Sequence, residues 1–230
     1  METSDRRNFL VGTVIGATGL LLNGPIALAK EDEKKEEDVG PAEDLMREHG
    51  GLNRILLIYE EGLRRIRGNE DVQPDVLKKS ATIIRTFIEN YHEKLEEEFI
   101  FPRMRRAGKL AELVDVLEKQ HKAGRKLTAT IEKLSTQAAI KHDSDKRKLM
   151  GALEAFIRMY RPHESREDTI LFPEFHKMMS EKEYDELGEQ FEDREHKLFG
   201  KEGFEGVVVQ IENLEKTYDI YDLSKFTPAT

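Results

Sequence analysis

A pattern of histidine and glutamate that occurs twice constrains this chain more than any other feature. In each copy a histidine is followed, one helical turn later in the sequence, by a glutamate. A lone histidine precedes each pair at a nearly equal distance, so the whole pattern repeats along the chain. The members of the pattern are His49, His92 and Glu96 in the first copy and His121, His163 and Glu167 in the second.

The His-x-x-x-Glu spacing matters because residues i and i+4 lie one turn apart on the same face of a helix. An imidazole and a carboxylate placed in this way can hold one metal ion. A single pair is more typical of an ordinary helix surface, but two copies in register, each with an upstream histidine, favour a metal site. A Phe-Pro pair follows each glutamate at the same distance, and we interpret Phe101 and Phe172 as packing residues at helix ends.

Residues 1–29 have the pattern of an export signal. Arg6 and Arg7 precede an apolar run from Val11 to Leu22, and small residues suited to cleavage surround Leu28. The segment resembles a twin-arginine signal, which implies export by the twin-arginine translocation machinery to the periplasm or another extracytoplasmic location. The alternatives are an uncleaved membrane anchor and an apolar N-terminus that is merely frayed.

The rest of the chain divides into three parts. Residues 30–40 are almost wholly charged and predict a linker, residues 41–180 predict a four-helix bundle, and residues 181–230 predict a C-terminal helical extension. The 230-residue chain has a formal net charge of −9, which argues against binding of nucleic acid, DNA included, and of anionic lipid. Because the chain has no cysteine, any metal must be bound through nitrogen and oxygen.

Apolar residues recur at intervals of three and four, without a convincing alternating stretch, so we predict an all-α fold. Two helical hairpins packed side by side give a four-helix up-down bundle. Ser180-x-x-Glu183 is a capping box that predicts the start of a fifth helix, and Pro162 predicts a kink in the fourth. The predicted helices run from Pro41 to Arg67, from Pro74 to Pro102, from about Leu110 to Ala139, from the turn at 142–144 onward, over 181–199 and over 203–218, with an extended tail.

Helix lengths bring the candidate ligands to one level of this bundle. His49 and His92 are both roughly 27–32 Å from the tip of the first hairpin, at about 1.5 Å per residue. His121 and His163 have the same relation to the turn at 142–144. We therefore predict that the four histidines and both glutamates meet in one layer. His196 is a weaker candidate ligand, since an antiparallel return of the fifth helix restores it to a similar level.

The donor set limits the choice of metal. Four imidazoles and two carboxylates, without a thiolate, suit iron, manganese or zinc rather than Cu(I) or Ca²⁺. Six ligands in two matched halves exceed what one tetrahedral zinc needs, so we predict two ions bridged by Glu96 and Glu167, with coordination positions open to a small molecule. Iron is favoured as the metal because it can use these positions for oxygen chemistry.

The ordered set of six candidate ligands, with Phe-Pro after each glutamate, resembles the hemerythrin HHE cation-binding domain over about residues 42–180. The resemblance implies a four-helix bundle around a non-haem di-iron centre, in a family whose members bind dioxygen, sense oxygen or iron, or react with peroxide or nitric oxide.

Two departures from the oxygen-carrying members argue against simple oxygen carriage. Those members place a second histidine one turn after the equivalent of His121, where this chain has Arg125. They also use a more distant aspartate where this chain has Glu167. A guanidinium near the metals is expected to favour anionic bound species.

Three kinds of function follow from these observations. The leading hypothesis is a di-iron protein that binds a small diatomic or peroxide ligand outside the cytoplasmic membrane, and an enzymatic version consumes peroxide or nitric oxide as an oxidoreductase. A ferritin-like protein that oxidises or stores iron is the second kind, although that class uses Glu-x-x-His rather than His-x-x-x-Glu. The third is a structural bundle with adventitious metal. The oligomeric state stays open.

Overall fold

The computed structural model describes residues 39–228, and within this range it contains helices and no β-strand. The all-α prediction is thereby confirmed. The predicted export signal and nearly all of the predicted linker lie outside the described residues. None of the helices between residues 39 and 228 is both long enough and apolar enough to cross a membrane.

Seven helices, numbered here in chain order, make up the described part of the chain. Two of them, α2 and α5, contain stretches of wider π-helical turns. The helices without π stretches are α1 Pro41–Gly68, α3 Ala111–Leu134, α4 Gln137–Lys141, α6 Glu181–Phe199 and α7 Gly203–Thr217. Helix α2 covers residues 74–106 and consists of Pro74–Ile83, a π stretch Ile84–His92, Glu93–Leu95, a second π stretch Glu96–Ile100, and Phe101–Arg106. Helix α5 covers residues 143–176 and consists of Asp143–Arg166, a π stretch Glu167–Leu171, and Phe172–His176.

The four long helices form a closed bundle in which α1 packs on α2, α2 on α3, α3 on α5, and α5 on α1. Helices α6 and α7 pack on each other, and both also pack on α1. A short 3-10 turn, Leu223–Phe226, lies in the tail that the sequence predicted to be extended. The bundle is the predicted four-helix arrangement, and the last two helices cover one side of it.

Local chemistry explains where the helices begin and end. Proline opens α1 and the first segment of α2, where a missing N–H costs no helical hydrogen bond. Asn69 ends α1 in the left-handed conformation, and the predicted capping box of Ser180 and Glu183 is present at the start of α6. Helix α3 ends at Leu134, before the predicted end at Ala139, and Thr136 caps a separate helix, α4.

The Phe-Pro pairs do not end their helices, contrary to the interpretation from sequence. Helix α2 continues to Arg106, and α5 continues to His176. Proline cannot donate to the residue four positions earlier, and its ring clashes with that carbonyl. A π stretch accommodates this defect just before each proline, because the N–H groups of Phe101 and Phe172 bond to the carbonyl groups of Glu96 and Glu167, one position further back than in an α-helix.

The two π stretches that precede the prolines therefore begin at Glu96 and Glu167, the two predicted carboxylate ligands. Pro162 also lies inside α5, within an α-helical segment that continues to Arg166. The kink predicted at this proline stays a prediction.

Candidate metal centre

The six candidate ligands come together in the interior of the bundle as two clusters. In each cluster one ligand atom from every member lies within 4.8 Å of the others, and every member is buried. Their exposed fractions lie between 0% and 3%, so the ligand atoms are removed from bulk water. Half-site 1 consists of His49, His92 and Glu96, and half-site 2 consists of His121, His163 and Glu167.

The two carboxyl groups lie between the half-sites. Glu96 Oε2 is 3.8 Å from Nε2 of His92 and 3.4 Å from Nε2 of His121, which belongs to the other half. Glu167 is placed in the same way, with one oxygen 3.1 Å from Nε2 of His163 and the other 3.4 Å from Nε2 of His49. Each carboxyl group thus reaches histidines of both halves, which is the arrangement that bridging requires.

The other nitrogen of each histidine ring is occupied by a hydrogen bond from outside the cluster. Such a partner fixes the ring orientation and the tautomer, and it makes the ring a stronger ligand. The Nδ1 pairs are His49 with Asp168 at 2.7 Å, His92 with Glu48 at 2.7 Å, His121 with Glu97 at 3.2 Å, and His163 with Gln120 at 2.9 Å. All four Nε2 atoms are therefore left to face the carboxyl groups of Glu96 and Glu167.

The Phe-Pro motifs contribute to the same site. Phe172 stacks on the ring of His49 at a centroid distance of 5.7 Å, and Phe101 stacks on His121 at 5.4 Å. Both phenylalanines are fully buried. Each motif therefore lies on a helix of one half-site and covers a histidine of the other.

Burial sets the protonation of the ligands. It lowers the pKa of all four histidines, and that of His163 falls to about 3. Burial raises the pKa of Glu96 and Glu167 well above the usual range, and at Glu96 the neighbouring carboxylate of Glu167 raises the pKa further. A cation held between Glu96 and Glu167 would reverse this preference, because it would stabilise the ionised carboxylates and favour the neutral imidazoles.

The carboxyl oxygens also test whether a metal fits. Within residues 39–228, no hydrogen bond of ordinary geometry reaches any of the four oxygens of Glu96 and Glu167. Buried polar atoms are normally satisfied, because leaving one without a partner costs about 1–3 kcal/mol, and more for a charged group. A bound cation would satisfy all four atoms, so this donor set fits a metal ion.

Arg125 occupies the position where oxygen carriers have a further histidine, and its guanidinium is already engaged. The guanidinium is 2.7 Å from both Glu93 and Glu97, so its charge is balanced by two carboxylates. Burial acts to raise the pKa of Glu97, but hydrogen bonds from His121, Lys94 and Arg125 outweigh it and lower the pKa to about 2. Arg125 is thus linked to His121 through Glu97, and the expectation that this arginine favours a bound anion stays a prediction.

A tyrosine completes this side of the site. Tyr160 donates a hydrogen bond of 2.7 Å to Glu93, and its ring lies edge-on to His163 at a centroid distance of 5.3 Å. The close approach depends on Gly124, because a Cβ atom at that position would lie 2.0 Å from the tyrosine oxygen. Gly124, Tyr160 and Glu93 therefore form one packed unit beside half-site 2.

His196, the weaker candidate ligand, belongs to neither half-site. Its neighbour Glu195 is buried, and it accepts hydrogen bonds from the hydroxyl of Tyr91 at 3.3 Å and from the N–H of Phe204 at 3.1 Å. The level of His196 along the bundle was the basis of the prediction, but level alone does not decide on which face of a helix a residue lies. Ligation by His196 has no geometric support.

The sequence reasoning missed the partners of the histidine rings. A signal for them was present, because they repeat with the same period as the ligands. Glu48 and Gln120 each come directly before the lone histidine, and Glu97 and Asp168 each come directly after the ligand glutamate. Polar residues next to ligands in both copies thus mark the residues that hold the ligands.

Fold and site together define a helical-bundle protein with two buried clusters of histidine and carboxylate ligands. The family model of the hemerythrin HHE cation binding domain matches residues 40–175, and the chain belongs to this family. Similar proteins include an uncharacterized protein of Mycobacterium bovis and uncharacterized proteins of two strains of Mycobacterium tuberculosis. Each is 46% identical over 196 residues, which cover 85% of this chain and 77% of the relative. No solved structure matches the chain.

Proposed function

We propose that this chain is a non-haem di-iron protein that binds or reacts with a small oxygen or nitrogen species, namely dioxygen, peroxide or nitric oxide. The observation that carries the proposal is the pair of buried carboxyl groups between two pairs of histidines. Glu96 and Glu167 each reach Nε2 atoms of both half-sites. Apart from the contact of the two carboxyl groups with each other, no hydrogen bond from residues 39–228 satisfies their oxygens. Two bridged cations account for this arrangement better than one.

The residues of the chain hold and shield the centre. The four Nε2 atoms serve as ligands, while the Nδ1 partners keep each ring in one tautomer and one orientation. Phe101 and Phe172 cover two of the rings and exclude water from that side. Bound iron supplies one-electron redox chemistry and coordination positions that the six protein ligands leave open.

We further propose that the centre reacts with peroxide or nitric oxide more readily than it carries dioxygen reversibly. Arginine has no acceptor atom and cannot replace an imidazole as a ligand. Arg125 is, moreover, held by Glu93 and Glu97. Half-site 2 therefore has two histidines and no third, which leaves an additional position for an exchangeable ligand.

Metal analysis and a peroxide assay test this function. Protein purified after iron-replete expression should contain two iron ions per chain, and the reduced protein should consume peroxide faster than the same amount of free iron. His163→Ala should lower both values, whereas the control His142→Ala should change neither, because His142 is an exposed residue whose Nδ1 lies near Asp145. One zinc ion and no iron per chain would refute the di-iron proposal.

The place of action is proposed to be the periplasm or another extracytoplasmic compartment, reached through twin-arginine export. The support is the sequence pattern around Arg6 and Arg7 and the need to fold before the ligands meet, since the ligands come from four helices, from His49 on α1 to Glu167 on α5. Replacing both arginines by lysine should leave precursor in the cytoplasm. Normal accumulation of that variant outside the cytoplasmic membrane would show the export proposal to be wrong.

A further inference from the structure

The ligand sets of the two half-sites match, but the residues that hold those ligands differ. In half-site 1 the ring of His92 bonds through Nδ1 to a carboxylate, Glu48, at 2.7 Å. The corresponding ring of half-site 2, His163, bonds to the amide oxygen of Gln120 at 2.9 Å. Glu48 and Gln120 occupy equivalent places in the repeat, directly before the lone histidine. The chain thus contains both a charged and a neutral version of the same contact.

The charged surroundings differ in the same direction. On the side of half-site 1, Glu48 lies within 4.8 Å of the buried carboxyl groups of Asp44 and Glu195, and Arg47 lies 3.4 Å from Asp44. On the side of half-site 2, the Nδ1 partner of His121 is a carboxylate, Glu97, but its charge is shared with Lys94 and Arg125. Lys94 and Arg125 together balance the charges of Glu93 and Glu97, so these four side chains leave no net negative charge to favour a cation in half-site 2.

Arg125 has no counterpart in the other half. The position that corresponds to it in the repeat, one turn after His49, is Asn53. Asn53 donates to the carbonyl oxygen of His49 at 3.2 Å and carries no charge. Half-site 2 thus has a guanidinium beside it, whereas half-site 1 has an amide at the equivalent place.

We propose that the two metal positions are inequivalent, that half-site 1 binds its ion more tightly and fills first, and that Glu48 is the positioning residue that sets the difference. This inference rests on the proposed two-ion function. When Nε2 of a histidine binds a metal, Nδ1 carries the proton and donates a hydrogen bond to its partner. A carboxylate partner draws that proton toward itself and raises the basicity of Nε2 more than an amide does.

The effect on affinity has a known scale. Removing a partner of this kind from a metal-binding histidine changes metal affinity by about 10- to 100-fold. We therefore expect half-site 1 to bind Fe²⁺ at least about 10-fold more tightly than half-site 2, with half-site 2 as the more readily exchanging position.

The experiment is an anaerobic calorimetric titration of the full chain with Fe²⁺ after its own metal has been removed. His163→Ala weakens half-site 2 and leaves half-site 1, while His92→Ala does the reverse. His163→Ala should keep the tight binding step, and His92→Ala should show only the weaker one. Comparing single half-sites avoids confusing a true difference with repulsion between two neighbouring ions.

Two reciprocal substitutions then test the role of Glu48. In the His163→Ala background, Glu48→Gln should lower affinity about 10-fold or more, because it keeps the geometry seen at Gln120 but removes the charge. In the His92→Ala background, Gln120→Glu should raise affinity by a comparable factor. Glu48→Gln in the His92→Ala background is the matched control and should have no such effect, because the ring that Glu48 contacts is absent. Circular dichroism verifies the fold of each variant.

The outcomes separate this inference from the proposed function. Equal Fe²⁺ affinities for the two single half-sites, or no change on Glu48→Gln and Gln120→Glu, would overturn the inequivalence while leaving a two-ion centre in place. If neither half-site binds Fe²⁺, the two-ion centre is wrong and the inference falls with it. If Glu48→Gln does not fold, the response to Gln120→Glu decides the question by itself.

Discussion

Gly124 is a position where one methyl group should disturb the surroundings of the metal centre. In Gly124→Ala the new Cβ atom would lie 2.0 Å from the hydroxyl oxygen of Tyr160 and 2.8 Å from the adjacent ring carbon. Tyr160 cannot simply move aside, because it is buried between Phe156 at a centroid distance of 4.3 Å and His163 at 5.3 Å. We expect the tyrosine to shift and to lose its hydrogen bond to Glu93.

The size of the effect follows from three contributions. Alanine in place of glycine stabilises a helix interior by about 1 kcal/mol. The lost hydrogen bond to a buried carboxyl group costs about 1–3 kcal/mol, and overpacking of the core costs a similar amount. The metal-free Gly124→Ala variant should therefore be less stable than the unaltered protein by about 1–5 kcal/mol, with a melting temperature lower by about 2–4 °C for each kcal/mol.

Urea unfolding followed by circular dichroism measures this difference. Gly151 provides the matched control, since it also lies inside a long helix but has no atom within 4 Å of an added Cβ. Gly151→Ala should stabilise the protein by about 1 kcal/mol. Gly124→Ala should cost less in a Tyr160→Phe background, where the clashing oxygen is gone. Equal unfolding free energies for the two alanine variants would refute the packing described for Tyr160.

Two further predictions concern metal and pH. His92→Ala should lower metal content and melting temperature together, because a metal at 100 times its Kd stabilises the folded state by about 2.7 kcal/mol. His142→Ala is the control. For the metal-free protein, burial lowers the pKa of His163 to about 3 and raises that of Glu164 to about 8. Because His163 must stay neutral in the folded protein, the free energy of unfolding decreases as pH falls below about 6.5. Because Glu164 must stay protonated, it also decreases as pH rises above about 4.5. The urea midpoint should therefore be highest between these two pH values, and a maximum at pH 8 would contradict the assignment.

Much of the fold and the meeting of the ligands was predictable because both depend on periodic patterns. Apolar spacing identified the long helices, and counting residues from each hairpin placed His49, His92, His121 and His163 at one level. Helix rise alone is enough for that inference. The structure places these rings in two buried clusters with the two glutamates, and their role as metal ligands stays a prediction.

The misses have a common cause, since they depend on side-chain direction and on backbone geometry between regular elements. His196 was expected at the level of the ligands, but it belongs to neither half-site, and it is the neighbouring Glu195 that is buried. Phe101 and Phe172 looked like helix ends because proline follows each of them. The helices continue instead, because a π stretch moves the hydrogen bonding by one residue. Neither feature follows from apolar spacing.

Arg125 does more than leave its position without a metal ligand, because its side chain makes contacts of its own. The position corresponds to a histidine in oxygen carriers, so a comparison of ligands alone predicts that Arg125→His turns this site into a carrier. The structure predicts a different result, because the guanidinium holds Glu93 and Glu97 at 2.7 Å each. Removing it leaves two carboxylates close together with one cation fewer. Breaking a fully buried pair costs about 3–5 kcal/mol, and the cost is smaller here because the Arg125 side chain is 24% exposed.

We therefore expect Arg125→His to destabilise the metal-free protein and to lower the iron content rather than to create reversible oxygen binding. Glu93 is the more deeply buried of the two partners, so neutralising it should restore part of the stability. Arg125→His combined with Glu93→Gln should thus unfold at a higher urea concentration than Arg125→His alone. Urea unfolding and iron analysis of both variants measure these effects. Full iron content, unchanged stability and repeated reversible oxygenation of Arg125→His would show that the guanidinium only fills space, and that the pairing with Glu93 and Glu97 has no part in holding His121.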